Sequence, residues 1–355
     1  MLHVALIYGG QSTEHQVSLV SAQNILNALD HKRYQVTLIH IDQSGRWYQV
    51  ASGQDLTSAK IDEMSSREPV TMSPDGLLTR EDRSQNPVKV DIVFPVLHGV
   101  NGEDGTIQGL LQLYGIPCVG ADMLSSAVCM DKDISKRLLK EAGIQVPKFK
   151  VLYNGGRNFP SYDYVAHELG ETLFVKPANA GSSVGISRVS SLMDYQTALD
   201  MAFLYDEKVL IEQAIIGREI ECAVLGRNPM RVSVCGEITT SHSFYSYEAK
   251  YQDESSTDLI IPASLPDKIE REIRQLAQDV CYVLGCRAMA RVDFFLDQNH
   301  QVLVNEVNTI PGFTPVSMYP LLWEHSGVSF SELMDTLILD AISSHQKRLR
   351  LIRQH

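Results

Sequence analysis

The chain has 355 residues, 44% hydrophobic and 21% charged, with a formal net charge of −12. That length predicts two or three domains with ample core, and that balance a soluble globular protein. The acidity, with no basic block beyond the short tail 347–353, argues against nucleic acid as a partner, because neutralising phosphates needs clustered Lys and Arg.

No apolar run approaches membrane-span length, and the N-terminus lacks a charged and then apolar leader, so neither a membrane nor a signal peptide is expected. The six cysteines (118, 129, 222, 235, 281 and 286) contain no C-x-x-C pair. They predict reduced core thiols in a cytoplasmic protein.

Residues 2–8 form a continuous apolar run ending in Gly9-Gly10, a buried parallel strand and its turn. Helical spacing follows through Val17, Asn24, Ile25 and Ala28, with Ser12 or Thr13 as cap. Residues 36–41 are a second strand. This β-α-β start resembles a dinucleotide fold, but G-x-G-x-x-G is absent and Glu14 at the helix start would repel a pyrophosphate. Glu14 either complements the helix dipole or receives a substrate ammonium group. Residues 51–90 read as peripheral decoration with a hairpin around Pro74-Asp75-Gly76.

Residues 90–97 are the next buried strand. It delivers the glycine-rich turn His98 to Gly105 and a helix over 106–114, where open α/β sheets bind ligands. An ordinary tight turn is the competing reading. Residues 115–120 read as a short strand segment. Met130-Asp131-Lys132-Asp133 opens a helix over 134–142. Strands at 149–152 and 173–176 flank a loop at 154–161. Lys176 then precedes a small-residue loop, 177–187, suited to cover phosphates with backbone N–H groups. No G-x-x-x-x-G-K-[ST] occurs, which excludes a Walker-type NTPase.

After a helix over 192–205, Glu212 ends one apolar strand and Glu219 begins another. The pair can accept from an adenine amine and a ribose hydroxyl, or stand as strand-end carboxylates in solvent. A strand over 231–239 precedes 241–258, a long aromatic-bearing stretch that reads as a lid or a surface loop. Helices are predicted over 265–284 and 329–342.

Between them, two β-rich runs, 291–296 and 301–307, flank the turn Asp297 to His300 and predict a hairpin. Pairing Leu296 with Gln301 sets Arg291 opposite Glu306 and Asp293 opposite Val304. Arg291, Asp293, Glu306 and Asn308 then share a face. Hard oxygen ligands so grouped suit Mg²⁺ or Mn²⁺; a solvated face with a cross-strand ion pair is the alternative.

In this order the motifs are specific. They are G-G-Q-S-T-E-H-Q-V-S (9–18), H-G-V-N-G-E-D-G (98–105), M-D-K (130–132), V-K-P-A-N-A-G-S-S-V-G (175–185), E-Q-A-I-I-G-R-E (212–219), Y-S-Y-E-A-K-Y (245–251), A-R-V-D (290–293) and N-E-V-N-T-I-P-G (305–312). On them the chain resembles the D-alanine–D-alanine ligases of the ATP-grasp superfamily, from residue 2 to about 339.

The resemblance implies a three-domain α/β ATP-grasp fold. Residues 1–125 would be an N-terminal, parallel-sheet (pre-ATP-grasp) substrate-binding domain. Residues 126–215 and 216–355 would be two α+β lobes enclosing ATP, the second carrying the metal site and lid. It implies ATP as substrate with two Mg²⁺ or Mn²⁺ ions held by Asp293, Glu306 and Asn308. Lys132, Lys176 and Lys250 would contact phosphates under the 181–185 loop, which includes Ser183. Glu212 and the Ile215 backbone would bind adenine, and Glu219 ribose.

It further implies ligation of two D-alanines through an acyl phosphate, for the bacterial cell wall. Glu14 would take the first ammonium group with His98 nearby, and Ser182 and Tyr251 would link to Glu14 and close the lid. Arg291 and the Gly312 N–H would form the oxyanion hole, while Ser317 and the Met318 backbone would hold the second carboxylate. Ser246 departs from an acidic residue frequent in the family. Tyr251 favours D-alanine over D-lactate as second substrate; a D-lactate or D-serine ligase is the runner-up. A non-catalytic ATP-binding protein and a dinucleotide oxidoreductase are further alternatives. A cytoplasmic homodimer is the expected assembly.

Overall fold

A computed structural model describes residues 1–51, 56–57, 67–82, 86–156, 159–240 and 257–351. Among them the strands form three sheets. The first contains β1 (Leu2–Gly9), β2 (Tyr34–Ile41), β3 (Trp47–Val50), β4 (Arg67–Ser73), β5 (Leu77–Arg80), β6 (Val88–Lys89) and β7 (Ile92–Val96), in the order β6-β5-β4-β3-β2-β1-β7. β1 pairs in parallel with both β2 and β7, and its residues Val4 to Tyr8 have no exposed surface, as an apolar run in a central strand requires.

β3 to β6 continue the sheet in antiparallel fashion. The hairpin that turns at Pro74–Gly76 is therefore a structural extension of the first sheet rather than peripheral decoration. Residues 115–120 contribute only an isolated bridge, Val93 to Cys118, so no strand forms there.

The second sheet contains β8 (Phe149–Tyr153), β9 (Leu173–Pro177), β10 (Ser187–Val189) and β11 (Lys208–Gln213), antiparallel in the order β10-β9-β11-β8. Its core includes Val165, Leu173, Val175, Leu199, Val209 and Ile211. Two helices contribute to that core, Leu192–Ala202 and an additional one at Tyr162–Leu169 that hydrophobic spacing had not indicated. Ser161 starts the latter by accepting from the Tyr164 N–H.

The third sheet contains β12 (Gly217–Gly226), β13 (Arg231–Thr240), β14 (Thr257–Ile260), β15 (Ala288–Asp297) and β16 (Val302–Asn308), antiparallel in the order β14-β13-β12-β15-β16. One face packs on the helix Asp267–Val283. That helix buries Ile269, Ile273, Ala277, Val280 and Cys281 along one stripe. On the other face Ala223, Leu225 and Met289 share a core with β1, β7 and the helices Met318–His325 and Phe330–Leu349. The first and third sheets are thus joined through one apolar core, whereas the second keeps its own.

The β15–β16 turn is held by Asp297, whose carboxylate accepts from the Asn299 and Gln301 N–H groups at 2.8 and 2.7 Å. The pairing differs from the simple register. Leu296 pairs with Val302 and Phe294 with Val304, but a bulge then aligns Asp293 with Glu306 and Arg291 with Asn308. The reason lies in the side chains. Val302 and Val304 belong in the core under Phe294. On an uninterrupted strand Glu306 and Asn308 would point the same way. One extra residue, Asn305, reverses the alternation and delivers Glu306 to the polar face.

Candidate active site

Glu14 is the N-cap of the helix His15–Ala28, in place of the expected Ser12 or Thr13; Ser12 instead accepts from the Glu14 N–H at 3.0 Å. The Glu14 carboxylate is buried, and two glycines let the backbone close over it. A Cβ on Gly99 (φ +73°) or on Gly181 would come 2.7 Å from Glu14 Oε2. The Ser182 hydroxyl donates to Glu14 Oε1, bridging 168 positions of sequence.

Beside it, His98 is buried with Nδ1 on the Ile310 carbonyl at 2.9 Å and Nε2 against the Ser21 hydroxyl at 3.2 Å. A carbonyl only accepts, so Nδ1 carries the proton. Burial, partly opposed by the Glu14 charge, lowers the imidazole pKa and keeps it neutral.

The 309–314 loop is fixed by residues far away in the chain. Glu103 accepts from the Ile310 N–H at 3.1 Å and from the Gly99 N–H at 2.9 Å. Ser21 accepts from the Phe313 N–H at 3.1 Å, and the Asn24 amide donates to the Phe313 carbonyl at 2.7 Å. Burial, and then the charge of Glu14, push the Glu103 carboxyl up to about 8. At Gly312 a Cβ would lie 2.6 Å from the Ser317 hydroxyl, so only glycine fits without a shift.

Arg291 forms a two-pronged bond to Asp293 at 2.8 Å on each arm and reaches Glu221 at 2.8 Å. Burial opposes its charge, but Asp293 and Glu221 outweigh it and raise the guanidinium pKa. The Asn308 amide donates to Asp293 at 3.0 Å. Glu14, His98, Ser182, Arg291, Glu306, Asn308, Gly312, Ser317 and Met318 all line one cavity of about 110 Å³.

A second network lies beyond Glu306. Lys132 follows Asp131, which caps the helix Lys132–Glu141. The Lys132 ammonium donates to the Ala180 carbonyl at 2.7 Å and lies 3.2 Å from Glu306. Glu212 is buried between Lys176 and Lys136, the latter at 2.7 Å. Burial works against its charge, yet the two lysines hold its pKa below the usual carboxylate value. Burial, partly offset by Glu212, pulls Lys136 down to about 8. In the covering loop Ser182 and Ser183 both adopt left-handed backbone, φ +49° and +62°.

Family models for the D-ala D-ala ligase N-terminus and C-terminus match residues 3–121 and 138–339. A D-alanine–D-alanine ligase from Proteus mirabilis is 47% identical over 98% of this chain and 96% of its own length. The chain belongs to the D-alanine–D-alanine ligase family. Its three-sheet α/β architecture is the ATP-grasp arrangement of that family. The structure of the D-alanine–D-alanine ligase from Coxiella burnetii superposes with a TM-score of 0.88 at 39% identity, covering 99% of this chain and 98% of that one. The VanG D-Ala:D-Ser ligase from Enterococcus faecalis gives 0.86 at 38% identity, covering 96% and 99%.

Among the remaining residues singled out from the sequence of this ligase-family chain, Ile215 and Glu219 are half-buried, Ile215 just before β12 and Glu219 within it. Lys250, Tyr251 and Ser246 lie outside the described residues, as does most of the stretch read as a lid. No described cluster of three or more His, Cys, Asp or Glu side chains could by itself hold a metal. The hairpin trio instead has two carboxylates and an amide on one face, an all-oxygen donor set that fits Mg²⁺ or Mn²⁺.

Spacing had given no role to Glu103, Lys136, Glu221 or Asn305. Glu103 stands inside the glycine-rich turn, and Lys136 lies four residues after Lys132 on the same helix. Those were the available signals.

Proposed function

We propose that the protein joins two D-alanine molecules at the expense of ATP, forming D-alanyl-D-alanine for the bacterial cell wall. The observation that carries this reading is the single cavity in which Glu14, His98, Arg291, Gly312, Ser317 and Met318 converge. The domains would be 1–125, 126–215 and 216–355, a division supported by the fact that each sheet falls within one of them. ATP would lie between the second and third.

Lys132 and Lys176, with Lys250, would take the phosphates, and Ser183 would cover them from the 181–185 loop. Glu212 and the Ile215 backbone would hold adenine, and Glu219 ribose. Asp293, Glu306 and Asn308 would hold Mg²⁺ or Mn²⁺. Bound there, the cation would neutralise phosphate charge during transfer.

A carboxylate is a poor acylating agent, so the first D-alanine carboxylate would attack the γ-phosphate to give an acyl phosphate and ADP. Glu14 would pair with that substrate's ammonium group, with neutral His98 nearby. The second D-alanine amine would attack the acyl carbon, forming the amide bond and expelling phosphate. Arg291 and the Gly312 N–H would stabilise the tetrahedral oxyanion. Ser317 and the Met318 N–H would hold the second carboxylate. The Ser182–Glu14 bond, joined by Tyr251, would keep water from the acyl phosphate.

Among the described residues no helix is long and apolar enough to cross a membrane, and a cytoplasmic homodimer is part of the proposal.

The test is phosphate release from ATP and Mg²⁺ with D-alanine alone, then with D-alanine plus D-serine or D-lactate. Release with D-alanine alone, and dipeptide as product, is expected. No release with D-alanine alone would overturn the reading. The likeness to a D-Ala:D-Ser ligase makes the D-serine arm the relevant second reading. Preferential D-serine incorporation would decide for it.

A further inference from the structure

We propose that Lys136 is a positioning residue for the metal-binding hairpin: it holds the Asn305 bulge that turns Glu306 into the site. The inference rests on the functional reading above and extends it to a residue outside the reacting groups.

The helix Lys132–Glu141 presents Lys132 and Lys136, four residues apart, along one face. Their ammonium groups meet consecutive residues of β16. Lys132 lies 3.2 Å from Glu306 Oε2, and Lys136 donates to the Asn305 carbonyl at 2.8 Å. Lys136 also donates to Glu212 Oε1 at 2.7 Å, and only 1% of its side chain is exposed. The Asn305 side-chain oxygen accepts from Lys176 at 3.5 Å. Both oxygens of the bulge residue are therefore held by lysines.

The bulge decides where Glu306 points. Carrying the Phe294–Val304 register onward without it would set Glu306 opposite Val292, whose side chain is in the core. A bulge leaves a residue outside the strand ladder, and here the Lys136 ammonium supplies the partner for the Asn305 carbonyl. A buried ammonium group is costly to keep where an apolar side chain would pack. Its two bonds link the bulge to Glu212 in the second sheet, so the same contact sets the hairpin against the opposite wall of the cleft.

Lys136→Met keeps length and volume and leaves Glu212 paired with Lys176. Mn²⁺ binding is read by electron paramagnetic resonance in the presence of ADP, and ADP binding without metal by calorimetry. At ADP concentrations that saturate each variant, Lys136→Met is expected to weaken Mn²⁺ binding by about tenfold while the KM for D-alanine stays within about twofold. Lys136→Arg, which retains the donors, should recover most of the loss. If the Met variant does not fold, Lys136→Leu, which likewise lacks a donor, takes its place.

Wild-type Mn²⁺ affinity in the Met or Leu variant overturns the inference. So does an equal rise in the KM for D-alanine, the mark of a merely structural role. Failure of the wild-type protein to bind Mn²⁺ with ADP and to release phosphate with D-alanine would instead overturn the functional reading, and this inference with it.

Discussion

The two loops that bound the cavity are held in opposite ways. The 309–314 loop is tied by four hydrogen bonds to the first segment of the chain, from Glu103, His98, Ser21 and Asn24. Ser21, His98 and Glu103 are themselves buried. The 181–186 loop crosses to the first segment through Ser182 on Glu14 and carries two left-handed serines. A hydrogen bond to a charged carboxylate is worth about 1.5–3 kcal/mol. Two left-handed non-glycine residues cost about 1–2 kcal/mol each. The cost is about the size of the gain, so that bond alone leaves this loop no surplus, whereas four bonds hold the other. A reaction that must admit substrates and then exclude water needs one wall of each kind.

The largest expected effect comes from disturbing the fixed loop. Gly312→Pro removes the backbone N–H itself and also brings a Cβ against the Ser317 hydroxyl, 2.6 Å away. It should lower kcat for phosphate release by about 10²–10³-fold, the usual loss for one oxyanion donor. Near-wild-type kcat would remove Gly312 from the oxyanion role.

Next is the poised loop. Ser182→Ala should raise the KM for D-alanine by about tenfold, the scale of one charged hydrogen bond, with unfolding free energy changed by no more than about 0.5 kcal/mol. An equal loss in stability would mean that both loops are structural and the contrast between them is false.

The pH dependence of folding probes the fixed loop from the side of His98. Its folded-state pKa is depressed below 6.5 by burial. The unfolded chain therefore binds more protons over the interval between the two values. Stability is complete above about pH 6.5 and declines as pH falls toward the folded value. Denaturant melts of the wild type and His98→Gln at several pH values should show a shallower decline in the variant. Parallel curves would contradict the buried neutral imidazole.

The smallest effect is Ser183→Gly. Glycine relieves the left-handed backbone but loosens the unfolded chain, so the net stabilisation should not exceed about 1 kcal/mol. A clear destabilisation would show that the serine side chain, rather than the backbone, sets the loop.

Local pattern alone determined a good deal here. An unbroken apolar run specifies a central parallel strand, and β1 is one, because both its faces must be buried. Two-residue alternation puts Arg291 and Asp293 on one face, and the motif order carries the family. The helix start at Glu14 and the hairpin turn at Asp297 were likewise visible from nearby residues, apart from the choice of cap.

Only the tertiary structure decided the strand register, because the Asn305 bulge follows from competition between Val304 for the core and Glu306 for the site. Only it brought Glu103, Ser21 and Asn24 to the 309–314 loop across more than 200 positions. The Lys136–Glu212–Lys176 network belongs to the same kind, since it joins a helix to strands of two sheets. Spacing along a chain records which side chains share a face, but a buried polar group is satisfied by whichever partner folding brings near.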